Sequence, residues 1–156
     1  MLIYTRVGPP DRLSARGRIL AAIIAAICLA VLITGARLPP SPTGMATHTA
    51  MGFDECQFYK RTGLPCPSCG MTTSFAWFTR GNVLASCWIQ PMGFVLALAA
   101  TATVWAGSYI AITGRPAHRL VRLIPPRYYL LPLLTFAALA WGWKMFIHLK
   151  GIDGWP

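Results

Sequence analysis

The sequence has few charged residues and very few acids. Only 12% of its 156 residues are charged, whereas a typical soluble domain carries about 25%. Four acidic residues stand against 14 basic ones, and no two carboxylates share an apolar run, which argues against a hydrolase built on paired carboxylates. A glycine-rich phosphate loop, an internal repeat and a low-complexity tract are also absent from the sequence. This is not the composition of an ordinary soluble domain.

Long apolar runs are what the sequence does contain. Hydrophobic residues make up 55% of the chain, and they concentrate in residues 19–36, 91–113 and 128–149. Each run has about the 20 residues that a helix needs to cross a bilayer. We therefore predict an all-α integral membrane protein, a single domain over residues 1–156 with three transmembrane helices. The lipid bilayer is then its first partner.

The basic residues flank these runs, so the net charge of +10 indicates membrane orientation rather than nucleic-acid binding. With the N-terminus inside, the arm at 1–18 and the loop at 114–127 are cytoplasmic, and the tail at 150–156 is outside. The inner basic residues are Arg6, Arg12, Arg16, Arg18, Arg115, Arg119, Arg122 and Arg127. The outer ones are fewer, namely Arg37, Lys60, Arg61, Arg80 and Lys150. This bias predicts a bacterial inner-membrane protein with its C-terminus outside.

The segment between the first two spans is interrupted by proline and glycine. Residues 37–70 are predicted to form an outer loop, because such a segment cannot cross a bilayer. Residues 71–80 follow as a helix of two to three turns, which begins after Gly70 and is too short to span. We expect an interfacial or re-entrant helix there.

The outer loop ends in "CQFYKRTGLPCPSCGMTTSF", residues 56–75. Cys66-Pro67-Ser68-Cys69-Gly70 has the form of a metal-binding knuckle, in which two sulfurs converge on one ion. Zinc and iron sites usually have four protein ligands, and only Cys56, Cys66 and Cys69 are local. His148, or alternatively His48, would have to supply the fourth ligand. The sequence thus allows a zinc or iron site.

The same cysteines allow two other interpretations. Cys66 and Cys69 can act as a catalytic thiol pair, since a helix that begins just after Cys69 favours its thiolate. Alternatively, a disulfide among Cys56, Cys66 and Cys69 can fasten the loop. Closing a loop of about 14 residues stabilises a fold by roughly 3 kcal/mol in the chain-entropy model.

Other polar residues have simpler interpretations. Pro67 stiffens the knuckle and Gly70 lets the backbone approach the sulfurs, whereas the hydroxyls of residues 72–74, Thr72 among them, can cap the short helix. Lys144 and His148 share one face of the third span. We expect Lys144 to extend toward the outer headgroups; the alternative is that both residues lie beside the cysteine loop.

The cysteine pattern, preceded by Thr62-Gly63, resembles the core "TGxxCPxCGxTR" of a bacterial membrane family known as domain of unknown function 2752. The "TRGN" at 79–82 matches a short turn of that family. The resemblance implies a small multi-span membrane protein with Cys56, Cys66, Cys69 and Gly70 as its site. Two positions depart from the family pattern: Thr73 replaces an arginine, and Gln90 replaces the asparagine of an Asn-Pro pair.

Taken together, these features predict a small accessory subunit of a larger membrane assembly, stabilised by an outward-facing cysteine knuckle. One alternative is a membrane thiol–disulfide oxidoreductase that uses Cys66 and Cys69, with a quinone as its candidate electron acceptor. The other is an interaction module that binds zinc or iron. Other membrane subunits are the expected partners, and nucleic acid is not.

Overall fold

The computed structural model describes residues 12–115 and 127–155, and all the regular structure in these two segments is helical. The helices are α1 (Ala15–Arg37), a 3₁₀ turn (Thr47–Met51), α2 (Gln57–Thr62), α3 (Met71–Thr79), α4 (Val83–Ile89), α5 (Pro91–Thr113) and α6 (Arg127–Leu149). Residues 1–11 of the predicted arm and 116–126 of the predicted inner loop lie outside the described residues. The predicted fold class is confirmed.

Three helices are long and apolar enough to cross a membrane: Ala15–Arg37, Pro91–Thr113 and Tyr128–Leu149. A helix of 23 residues is about 34 Å long, slightly more than the hydrocarbon core of a bilayer. Local signals set their ends. The Ser14 hydroxyl accepts a hydrogen bond from the Gly17 amide at the start of α1, and Pro91 opens α5 where no amide hydrogen is needed.

Helices α1 and α5 pack closely because α5 has a glycine, without a side chain, at their contact. A Cβ on Gly107 of α5 would lie 3.0 Å from both the Ala21 carbonyl oxygen and the Ala25 Cβ of α1. At the same end of the pair, the Arg18 guanidinium donates to the carbonyls of Ala111 and Ile112 at 2.9 and 3.1 Å. These contacts hold α1 and α5 as one unit.

Two short helices, α3 and α4, sit against the start of α5. The buried Ser74 hydroxyl of α3 donates to the Ser86 carbonyl of α4 at 2.8 Å, and the Gln90 carbonyl lies 3.2 Å from it. The Asn82 side chain caps α4 by accepting from the Ala85 amide at 3.0 Å. The sequence interpretation missed α4, α2 and the 3₁₀ turn, because helices of five to seven residues show no clear periodicity.

Helix α6 contacts the rest of the fold through its C-terminal half. Ala140, Lys144 and Ile147 are buried there on one face, as a spacing of four and three residues requires. The indole of Trp143 donates to the Trp88 carbonyl at 2.7 Å, and the two rings meet edge-on. The N-terminal half exposes leucines, namely Leu130, Leu131, Leu133 and Leu134. Contact is therefore concentrated at the end of α6 that lies beside the cysteine loop.

Candidate functional site

The cysteine loop, residues 56–70, brings three thiols together. Cys56 immediately precedes α2, which ends at Gly63 in the left-handed conformation. The chain then turns back, and the Cys69 amide donates to the Cys66 carbonyl at 3.0 Å. As a result, the sulfurs of Cys56, Cys66 and Cys69 all lie within 4.8 Å of one another. We refer to these three residues as the cysteine cluster.

Gly70 is required where the loop enters α3. Its φ of +84° lies in the left-handed region, which glycine adopts without steric cost. A Cβ at this position would also lie 2.9 Å from the Gly44 carbonyl oxygen and 3.3 Å from the Lys144 Cε. The close approach of α6 to the backbone therefore depends on this glycine.

The loop backbone is held by side chains of the long helices and of the segment just before α5. The Gln90 amide donates to the Pro67 carbonyl at 2.9 Å, and the Trp141 indole donates to the Pro65 carbonyl at 3.0 Å. His148 Nε2 donates to the Gly63 carbonyl at 3.2 Å. Because these bonds satisfy backbone carbonyls, the loop is held in place without a disulfide, and all five cysteines of the chain are free thiols in the structure.

A buried ionic group, which we call the clamp, lies behind the loop. Its members are Lys144, His148 and Asp153. The Lys144 ammonium lies 3.0 Å from Asp153 Oδ1 and 3.3 Å from the Gly44 carbonyl oxygen, while His148 Nδ1 lies 2.5 Å from Asp153 Oδ2. The other ring nitrogen of His148, Nε2, faces the Gly63 carbonyl, so both of its ring nitrogens have a hydrogen-bond partner.

The expectation that Lys144 extends to the headgroups is wrong. Its side chain is fully buried, because the C-terminal tail turns back at Gly151 and places Asp153 beside it. The Gly151 and Ile152 amides donate to the carbonyls of His148 and Ile147, both at 3.0 Å. The alternative in the sequence analysis, which put Lys144 and His148 beside the cysteine loop, describes the observed placement.

The two candidate fourth ligands are engaged elsewhere. Nδ1 of His148 contacts the Asp153 carboxylate, and Nε2 contacts the Gly63 carbonyl. The Nε2 of His48 donates to the Asp54 carbonyl at 3.1 Å. In the described part of the chain, the cysteine cluster is thus the one group of three or more His, Cys, Asp or Glu side chains whose ligand atoms lie close enough to hold a metal ion. A fourth protein ligand stays a prediction.

The hydroxyls after Gly70 do not cap α3. Helix α3 begins without a side-chain cap, and the buried Thr73 hydroxyl instead meets the Thr47 hydroxyl at 2.7 Å. This contact ties α3 to the 3₁₀ turn. Thr73 stands where the family pattern has arginine. Its side chain is fully buried, and a threonine is small enough for this buried position. Thr72 lines a cavity described below.

The two knuckle thiols differ in acidity, and their sulfurs are only 3.2 Å apart. Burial raises the pKa of the Cys66 thiol, but hydrogen bonds from Ser68, Cys69 and Cys56 outweigh it and lower the pKa to about 7. Burial, together with the hydrogen bond to Cys66, raises the pKa of Cys69 to about 12. As pH rises through about 7 the pair therefore gains one negative charge, centred on Cys66.

Comparison with known proteins supports the resemblance drawn from the motif. Residues 56–104 match the family described as "Protein of unknown function (DUF2752)". The match covers the cysteine loop, α3, α4 and the first part of α5. No curated protein and no solved structure matches the chain. The family description assigns no activity, so function has to be argued from the site.

Removing the clamp carboxylate is expected to destabilise the protein. Asp153→Asn leaves the buried Lys144 ammonium without its counter-ion, and breaking a buried pair from one side costs about 3 kcal/mol. Denaturation of the detergent-solubilised chain measures the loss. Asp54→Asn, at an exposed acid of the loop between the first two spans, is the control. Equal midpoints for the two variants would contradict the clamp, and adding Lys144→Met to Asp153→Asn should restore much of the stability.

Alkylation should distinguish the knuckle thiols. The thiolate is the reactive form, so its fraction at Cys66 rises as pH rises through about 7. Iodoacetamide should therefore modify Cys66 before Cys69, whose pKa of about 12 keeps it protonated. Quenched reactions at increasing pH, followed by peptide mass spectrometry, give both rates, with the exposed Cys87 as reference thiol. Equal rates for Cys66 and Cys69 at neutral pH would refute this order.

Proposed function

We propose that this chain is a small membrane subunit whose cysteine cluster holds a thiophilic metal ion on the outer side of the membrane. The observation that carries the proposal is the convergence of three sulfurs within 4.8 Å. Thiolates bound to one tetrahedral zinc ion lie about 3.8 Å apart, given a Zn–S bond of about 2.3 Å. The sulfurs of Cys56, Cys66 and Cys69, at most 4.8 Å apart, exceed that spacing by no more than about 1 Å.

The way the loop is held favours a metal over a structural disulfide. A disulfide would use two of the three sulfurs and would add a constraint to a backbone already tied down by Gln90, Trp141 and His148. A metal ion uses all three sulfurs. All three cysteines are only partly buried, so an ion can enter from outside the protein.

The small size of the chain, and a set of only three converging ligands among the described residues, support its placement in an assembly. Zinc or iron bound by three cysteines keeps one coordination position, which a donor from a neighbouring subunit can fill, or His148 after releasing one of its present contacts. The leucines on the N-terminal half of α6 offer an apolar surface to lipid or to another membrane helix. The charge bias supports a bacterial inner membrane, with the N-terminus inside and the cysteine loop outside.

A second function, thiol–disulfide exchange, is favoured by one specific contact. The sulfurs of Cys66 and Cys69 lie 3.2 Å apart, so a disulfide requires little movement. In this reaction the two thiols lose two protons and two electrons and form the S–S bond. A membrane quinone takes up the two electrons and two protons and becomes a quinol. Cys56 would then be a bystander.

Metal binding is tested on the full-length reduced chain in detergent with Co(II), which reports sulfur ligation by charge-transfer absorption. We expect one Co(II) per chain, displaced by Zn(II). Single Ser substitutions at Cys56, Cys66 or Cys69 should abolish the absorption. The same substitution at Cys28 or Cys87, which lie outside the cluster, should leave it intact. No bound metal, with a Cys66–Cys69 disulfide forming when a soluble quinone is added, would replace this proposal by the oxidoreductase.

The subunit role requires a separate measurement. A tagged chain, extracted from its native membrane with several mild detergents, should elute in a complex of constant composition well above its own mass of 17.0 kDa. Ser substitution at Cys66 should leave the abundance of the complex unchanged if the thiol serves the metal rather than assembly. A tagged three-span protein of similar size controls for detergent effects. Elution as a micelle-bound monomer in every detergent would contradict the subunit role.

A further inference from the structure

The cysteine cluster opens onto a cavity of about 1010 Å³. Residues of the C-terminal half of α1, of the 3₁₀ turn and of the start of α3 line this cavity. Cys56, Cys66 and Cys69 all line it. An ion that reaches the cluster through the cavity can therefore contact the other lining side chains.

Thioethers are unusually frequent among those side chains. Met45, Met51 and Met71 all line the cavity, which is half of the six methionines in the chain. Met71 is two residues from Cys69, and Met51 is 40% exposed. Leucine would fill the same space, but only methionine adds a soft sulfur donor. The cavity thus combines three thiols with three thioethers.

The number of ligands also favours one class of metal. Structural zinc sites usually have four protein ligands, whereas the converging set among the described residues has three. Cu(I) is a soft ion selected by thiolates and thioethers, and two or three sulfurs satisfy it. Among the residues that the structure describes, Glu55 is the one carboxylate that lines the cavity. A hard ion such as calcium or magnesium would therefore find few oxygen ligands there.

We propose that the cysteine cluster binds Cu(I), and that Met45, Met51 and Met71 form the route by which the ion reaches it. The inference rests on the proposed metal site and specifies the metal. Copper enters and stays as Cu(I), so no electron is transferred. Copper–sulfur bonds replace the S–H bonds of the thiols, and the released protons go to solvent.

The first experiment titrates the full-length reduced chain, in lipid nanodiscs, with Cu(I) held by the coloured chelator bicinchoninate. We expect the chain to remove one Cu(I), and X-ray absorption to show sulfur ligands alone. A parallel titration uses Co(II). Binding of Co(II) without Cu(I) would overturn the copper proposal and leave the metal site standing, whereas binding of neither ion would overturn both.

The second experiment tests the methionine route with the triple variant Met45→Leu/Met51→Leu/Met71→Leu. Loss of these outer sulfur donors should slow Cu(I) transfer from the chelator about tenfold, while the final stoichiometry and Co(II) binding stay unchanged. The matched control is Met92→Leu/Met145→Leu, at two methionines that do not line the cavity. Equal transfer rates for the triple variant and the control would refute the route.

Discussion

The structure depends on the ion pair between Lys144 and Asp153. An ammonium group on a membrane-spanning helix, with no exposed surface, is costly unless a carboxylate and a carbonyl receive its hydrogens. Asp153 and the Gly44 carbonyl meet that requirement. The tail must turn back after α6 to deliver the carboxylate, and the segment at Gly44 must lie against α6 to deliver the carbonyl. One buried charge therefore holds together the last helix, the tail and the outer loop.

This arrangement explains why the thiols are available. Helix α6 is brought so close to the loop that Trp141 and His148 reach its backbone carbonyls, and Gly70 is the residue whose missing side chain makes room. The backbone carries the structural constraint. The sulfurs of the cysteine cluster therefore line a cavity and are not packed into a core. A loop held in this way can keep three thiols close together in the reduced state.

The spans and the cysteine knuckle could be predicted from the sequence because each has a local signal. For the spans the signal is the length of an apolar run, and for the knuckle it is the spacing of the cysteines and a turn glycine. The clamp was not predictable, since Lys144 and Asp153 are nine residues apart and meet only when the tail reverses. Thr73 and Ser74 were expected to cap α3, yet both bond to other elements, because burial made tertiary partners available. The three methionines belong to separate segments, and only the fold shows that they share a cavity.

Electrostatics connects the clamp to the cluster. The clamp places the buried Lys144 ammonium beside the cysteine loop, where its Cε lies 3.3 Å from the position of a Cβ on Gly70. Three thiolates around Zn(II) carry one net negative charge, and around Cu(I) they carry two. Because a metal-bound thiol loses its proton outright, the proposed site would be anionic when filled by either ion. The Lys144 ammonium directly behind Gly70 would offset part of that charge. Lys144, which organises the fold, would therefore also lower the free-energy cost of the proposed metal–thiolate centre.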